Sequence, residues 1–408
     1  MSVPPNTELA KDLPLPQQPL KGKHSFNTLA APRFMFYCDL SNFDHKVMNR
    51  NIYDLSQNYM FVSLLPKNLK KIFLSYVNED AYHAYKNILN IEDEFLSNLD
   101  DARFNILGPL LYYTRADYQL FNFRNQFKIS KNKKILFFDS SDSDMLTLPP
   151  SGRHLELAWR ARLGHVSGRC QSNRTDFLPV LGLENDKFIF FRTSGFRKEN
   201  GLNVIGMPYI VKDHFSGNYK NKHLSLSYCG WPANNTFKEA VIKKLKDLDY
   251  SDFIIRDYWA NDQLGNDDGA VTPQSSYNLG PSKKSKQEFI DNMERNLYGL
   301  AVRGTSNSSY RLYELFMMGR IPVLLNTDCI LPFASEIPYK KNTVFVENFS
   351  DIDGQIRKFH DEHTEEELIN IQKQNRQIWL EYFRIDGAYN KTKKMLMNSL
   401  SKPNTIST

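Results

Sequence analysis

An α/β fold built on parallel sheets is what three features of this 408-residue chain predict. In the second half, short apolar runs alternate with helical stretches of about 10–15 residues, the pattern of a parallel sheet covered by crossover helices. In the first half, buried-strand signals such as KKILFFD are followed by polar loops rich in Ser and Asp. The composition, 41% hydrophobic, 24% charged and 13% aromatic, is that of a globular protein. The length supplies two or three domains large enough to bury their own cores, which excludes a scaffold stapled by disulfides or metal.

Taken in order, residues 1–30 hold five prolines and little periodicity and read as a flexible tail. RFMFYC, from Arg33 to Cys38, predicts a first strand that ends at the carboxylate of Asp39. A helical stretch follows from about Pro66 to Leu99, then the strand KKILFFD, the helix HLELAWRARL, the strand KFIFFR and the loop TSGFRKENG. Together these predict an amino-terminal Rossmann-like domain over residues 31–220. From Lys222 the alternation is cleaner. LSLSYCG is a strand, and TFKEAVIKKLKDL sets Phe237, Val241, Leu245 and Leu248 on one helical face. DFIIRD is a strand, KQEFIDNMERN a helix, LYGLAV a strand, SSYRLYELFMMG a helix stopped by Gly319, and IPVLLN a strand. A second Rossmann-like domain is expected over 221–385, with 386–408 as a closing helix and tail. The long Asp257–Ser285 segment reads as surface disorder ahead of a substrate lid. Trp379 falls on an apolar helical stripe and is expected in the core.

Charge and cysteine usage narrow the function classes. The 52 Lys+Arg against 46 Asp+Glu leave only +6, spread along the chain, so neither a nucleic-acid nor a membrane-surface role is favoured. Cys38, Cys170, Cys229 and Cys329 are scattered, without zinc-ligand spacing, and read as reduced thiols. No apolar run approaches the roughly 18–20 residues of a membrane span, and the amino terminus lacks a signal-peptide core. The expectation is a cytoplasmic protein whose relation to a membrane is peripheral at most. The sequons at Asn173, Asn234, Asn307, Asn348 and Asn390 carry no weight in that compartment.

The chemistry concentrates in LYGLAV–RGTSNSS–YRLYELFMMG–RIPVLLN. Ser308 and Ser309 are placed to cap a helix whose free N–H groups and positive dipole end favour an anion. Arg303 at the loop mouth and Arg311 in the first turn offer two planar guanidinium forks to phosphate. Glu314, three residues beyond Arg311, is placed to accept hydrogen bonds from a ribose. From spacing alone, an ordinary i,i+3 ion pair and a serine cap explain these residues equally well. The loop is neither a G-x-x-x-x-G-K-[ST] nor a G-x-G-x-x-G motif.

The run from Leu297 to Phe333 resembles the signature of the exostosin family of glycosyltransferases. Arg303 and Gly304 match its loop, Ser309, Arg311 and Glu314 its S-x-R-x-x-E helix, Gly319, Ile321, Pro322 and Val323 its next strand, and Leu331, Pro332 and Phe333 its L-P-F. QIWLEYF is similar to a late family helix, and YCDL, from Tyr37, to its opening strand. Leu315 stands where the family has Ala, and Asn326-Thr327 precede Asp328 in the polar turn.

The resemblance implies a GT-B-like fold, two Rossmann-like domains facing an interdomain cleft, with a nucleotide-sugar donor held by the second. It implies an inverting transferase with no metal or other cofactor, taking a sugar from a donor such as a UDP-sugar to a glycan, glycolipid or glycoprotein. Gly230, Arg303, Gly304, Ser308, Ser309, Arg311 and Glu314 are then the donor residues, and Arg303 also stabilises the leaving diphosphate. The base has several candidates: Asp142 and Asp144, a D-x-D that in the other transferase architecture would hold a divalent ion, with Asp139 and His214. Arg192 and Arg197 suit an acidic acceptor, the donor phosphates or a solvated loop; Trp231 suits the donor site or an interdomain core. The rival reading is a catalytically inactive nucleotide- or glycan-binding protein of the same fold.

Overall fold

In the computed structural model the described residues are 36–37, 59–77, 79–92, 104–107, 134–139, 188–197, 203–232, 236–256, 283–304 and 306–401. In chain order the elements are β1 (Phe36–Tyr37), α1 (Tyr59–Leu64), α2 (Lys67–Tyr76), α3 (Glu79–Tyr85), β2 (Phe104–Leu107), β3 (Lys134–Asp139), β4 (Phe188–Arg192), β5 (Val204–Gly206), β6 (Leu226–Gly230), α4 (Thr236–Leu245), β7 (Ser251–Ile255), α5 (Lys283–Arg295), β8 (Tyr298–Ala301), α6 (Tyr310–Met317), β9 (Ile321–Leu325), α7 (Tyr339–Asn342), β10 (Val344–Val346), α8 (Ile352–Asp361), α9 (Glu365–Ile378) and α10 (Ile385–Ser401). The chain forms two compact units. One holds the described residues up to Lys212 with Ile330–Pro332 and the segment from Tyr382; the other holds Asp213–Cys329 and Phe333–Glu381.

The first unit carries a parallel sheet in the order β1-β2-β3-β4-β5. Ile135 and Leu136 on β3, and Ile189, Phe190 and Phe191 on β4, are all buried. Successive residues point to opposite faces, so both faces of these strands are covered, as parallel sheets require. One face packs on Phe73 of α2 and on Ile385, Ala388, Tyr389 and Leu396 of α10, so the last helix belongs to this core. Ile330 joins the same unit through its N–H, which donates to the Gly195 carbonyl at 3.1 Å. The three-residue β5 gives no strand signal in the sequence; its pairing with β4 defines it.

In the second unit the sheet runs β7-β6-β8-β9-β10, all parallel. Its two faces are built differently. Leu226 and Tyr228 of β6, Tyr298 and Leu300 of β8, Ile321, Val323 and Leu325 of β9, and Val344 and Val346 of β10 form the apolar face. That face receives Val241, Ile242 and Leu245 of α4, Ile352 and Ile356 of α8, and Leu368 and Ile371 of α9. The alternate positions of β6 and β8 are small: Ser227, Cys229, Gly299 and Ala301. This lets α6 lie close against β8, for a Cβ at Gly299 would overlap the side chain of Leu315.

Candidate functional site

Counted from β6, the second sheet has the order 2-1-3-4-5. Chain connections leave β6 in one direction, toward β7, and run from β8 in the other, toward β9. The loops after β6 and β8 therefore diverge, and the crevice between their carboxyl ends is where open α/β sheets place ligands. Gly230 ends β6 there, in a backbone conformation (φ +158°) that side chains rarely adopt. Arg303 and Gly304 follow β8, and the amino terminus of α6 lies at the same edge, since Arg311 in its first turn donates from Nη2 to the Cys229 carbonyl of β6.

The far end of α6 is fixed by Gly319, with φ +59°. The Gly319 N–H donates to the Phe316 carbonyl at 3.0 Å and that of Arg320 to Leu315 at 2.8 Å, the paired bonds of a glycine-terminated helix.

Arg311 is mostly buried. Besides Cys229, its Nε lies 3.5 Å from Glu314 Oε2 and its guanidinium plane stacks 4.0 Å from the centroid of Phe289 on α5. Its Nη1 is buried and has no hydrogen-bond acceptor. Burial pushes the Glu314 carboxyl above the ordinary range, and the Arg311 charge opposes that shift. Beside them, the Trp231 carbonyl accepts from Lys238 Nζ at 2.9 Å and from the Tyr228 hydroxyl at 3.2 Å. Burial, and next the charge of Arg311, lower Lys238 to about 8. Burial raises Tyr228 and keeps it a neutral phenol.

The loop between β8 and α6 is held internally and by the turn after β9. The Gly304 N–H donates to the Ser308 carbonyl at 2.9 Å, and the Ser306 and Ser308 hydroxyls share a bond of 2.8 Å. Asn307 is fully buried: its Nδ2 donates to the Thr327 carbonyl at 3.0 Å, and its Oδ1 accepts from Thr327 Oγ1 at 2.6 Å and from Arg303 Nη1 at 3.5 Å. This sequon asparagine is thus a structural strut that also orients Arg303. The serine cap differs from expectation. Ser309 occupies the cap position in extended conformation but makes no side-chain capping bond, and its contribution is its carbonyl, which accepts from the Leu312 N–H at 3.2 Å.

Gly230, Arg303, Gly304, Ser308, Ser309, Arg311 and Glu314 thus share one sheet edge. His214 does not join them: its backbone N–H donates to Met317 Sδ at 3.0 Å, at the opposite end of α6. Asp142 and Asp144 lie outside the described residues, as does the side chain of Asp139. Arg192 is not on a solvated loop; it is 1% exposed, whereas Arg197 is exposed. Among the described residues no group of three or more His, Cys, Asp or Glu side chains is arranged to hold a metal ion, and no helix is long and apolar enough to cross a membrane. Sequence reasoning does not assign Lys238, Tyr228 or Phe289 to the site, and marks Asn307 only as a sequon. Each reaches the site from another element, and a lysine in the first turn of the helix after a site strand was the one available signal.

No family model matches the chain. Short segments are similar to known proteins: 59 residues are 41% identical to "Probable glucuronosyltransferase 47 A" of Physcomitrium patens, and 60 residues are 37% identical to "Probable glucuronosyltransferase GUT1" of Oryza sativa subsp. japonica. These matches cover 14% and 15% of this chain and 13% and 14% of the respective relatives.

Proposed function

We propose that this protein is a glycosyltransferase that moves a sugar from a nucleotide-sugar donor, a UDP-sugar, to a glycan or glycoconjugate acceptor. The observation that carries the reading is Arg311: a buried guanidinium with an acceptor-free Nη1 at the carboxyl edge of the β6/β8 crevice. A buried charged donor without an acceptor is costly unless a ligand supplies one. The names of the partial relatives support glycosyl transfer as the chemistry and make UDP-glucuronate the first donor to try.

In this reading the donor diphosphate lies against Arg303, Arg311 and the amino terminus of α6, and Glu314 accepts from a ribose hydroxyl. The acceptor oxygen attacks the anomeric carbon as the bond to the diphosphate breaks. A carboxylate, from Asp139, Asp142 or Asp144, takes the acceptor proton. The arginines and helix end stabilise the charge that develops on the leaving diphosphate. We propose that the reaction inverts the anomeric centre, requires no metal and takes place in the cytoplasm.

The test is calorimetry and turnover of the full-length chain over UDP-, GDP- and CMP-sugars, with and without chelator, starting with UDP-glucuronate. Binding and slow hydrolysis of a UDP-sugar that persist in chelator are expected. If no nucleotide-sugar in the panel binds or turns over, the reading fails. Tight binding with no transfer or hydrolysis would mark the chain as a nucleotide-binding protein of this fold.

A further inference from the structure

Three contacts hold the Arg311 side chain, and the one from α5 involves no hydrogen bond. Ser285 and Phe289 are one turn apart on α5 and share a face of it. Ahead of Phe289 the helix is tied to the end of β7: Arg256 donates from Nη1 to Ser285 Oγ at 3.3 Å and from Nη2 to Glu288 Oε2 at 3.1 Å. Beyond Phe289, Asn292 Nδ2 donates to the Asp252 carbonyl of β7 at 2.8 Å. The Arg256 N–H in turn donates to the Gly230 carbonyl at 3.1 Å, so the first tie reaches the end of β6. Phe289 therefore sits between two anchors, with its ring centroid 4.0 Å from the Arg311 guanidinium carbon. Nη2 of that guanidinium bonds to the Cys229 carbonyl and Nε lies 3.5 Å from Glu314, so two points fix the edge of the plane and the ring fixes its face. Together they set the direction of Nη1, which is buried and has no acceptor.

We propose that Phe289 is a positioning residue of the donor site, its ring holding the Arg311 guanidinium in the plane that aims Nη1 at the donor diphosphate. This rests on the donor-site reading above. An arginine side chain left loose loses rotamer freedom when it closes on a ligand, and that loss weakens binding. One already laid on an anchored ring has lost that freedom when the protein folds. The ring also turns the negative face of its quadrupole to the cation and keeps water off one side of it. A guanidinium shielded in this way presents a stronger field to a phosphate. Both effects act through the guanidinium, so Phe289 contributes to binding only while residue 311 has a plane to stack.

The experiment is a double-mutant cycle read by calorimetric titration of the full-length protein with UDP, with urea unfolding of each sample to confirm folding. Phe289→Leu keeps an apolar side chain but removes the ring, and affinity about fivefold weaker is expected. Phe289→Tyr keeps the ring face and should bind within about twofold of the parent. In the Arg311→Lys background no planar group lies on the ring, so adding Phe289→Leu should weaken binding by less than about twofold further. Three results overturn the assignment of Phe289 and leave the donor site standing: folded Phe289→Leu that binds UDP like the parent, folded Phe289→Tyr that loses as much as Phe289→Leu, or an equal loss from Phe289→Leu in both backgrounds. Failure of the parent to bind UDP overturns both.

Discussion

Replacing Arg311 with alanine is the sharpest perturbation of the site, because the structure separates what the residue does for the fold from what it offers a ligand. Within the protein the guanidinium makes one carbonyl bond, to Cys229, one ion pair at 3.5 Å, to Glu314, and one stacking contact at 4.0 Å, with Phe289. Losing them costs about 1–2 kcal/mol of stability. The Nη1 makes no hydrogen bond at all, so its contribution appears only on binding. Two charge-assisted bonds to a diphosphate at about 1.5–3 kcal/mol each, less what water restores in the vacated space, give a net loss of about 3 kcal/mol, or about 150-fold in UDP affinity. Arg311→Lys keeps the charge but not the planar fork and should lose about tenfold. Isothermal titration reads the affinity, and urea unfolding of the same samples reads the fold. Glu314 supplies an internal control. Its carboxyl is already raised by burial, and removing Arg311 removes what opposes the shift. A raised carboxyl contributes stability below its unfolded pKa and loses it as pH rises through the folded value. The stability deficit of Arg311→Ala should therefore be larger at pH 8 than at pH 5. Folded Arg311→Ala that binds UDP within twofold of the parent would refute the placement of the diphosphate.

Arg320 is fully buried, and its guanidinium donates to the last-turn carbonyls of α5, Met293 and Glu294, both at 3.0 Å, and to the Asn218 carbonyl at 3.1 Å. Arg320→Met strands these acceptors and should cost about 3–5 kcal/mol in urea unfolding, with Arg320→Lys recovering less than half. Gly319→Ala forces a side chain into the left-handed region and sets its Cβ 3.1 Å from Tyr219 and 3.2 Å from the Gln372 carbonyl. A loss of about 2 kcal/mol is expected, read as a lower melting temperature and faster hydrogen exchange at the Arg320 amide. Asn307→Asp replaces the Nδ2 donor with an oxygen facing the Thr327 carbonyl and pairs a carboxylate with Arg303; a folded variant with about tenfold weaker UDP binding is expected by calorimetry.

The elements that sequence reasoning recovers are those whose burial is uniform. All five residues of β9 are buried, and IPVLL is correspondingly a plain apolar run. On α6, Leu312, Tyr313, Leu315, Phe316 and Met317 are buried ahead of a left-handed Gly319, and both the stripe and the stop are visible as letters. β5 is different: Val204–Gly206 is three residues long, ends in glycine and exists through its pairing with β4 and the close approach of Ile330 to Gly206. Strand order is likewise a property of long-range pairing. Nothing local in LSYCG says that β8 and β7 will flank it, and so nothing local makes the loop after Gly230 part of a site.

The same distinction governs the site. Arg303, Gly304, Ser308, Ser309, Arg311 and Glu314 fall within twelve positions of one another, so one local pattern captures them all. What turns them into a binding edge comes from farther away: the Cys229 carbonyl is 82 positions from Arg311, and Thr327 is 20 from Asn307. A list of donors also cannot say which are already used. Cys229 takes one end of the Arg311 fork, Glu314 lies beside Nε, and Phe289 covers the plane, leaving Nη1 buried without an acceptor. Ser309 shows the converse, a residue at the expected cap position whose hydroxyl makes no capping bond. The case for an anion therefore rests on the one donor that three contacts leave unsatisfied, and it strengthens with Lys238, whose amine the same Arg311 charge helps to hold at about 8. A shared negative ligand at this edge would relieve the cost that the Arg311 charge places on the Lys238 ammonium.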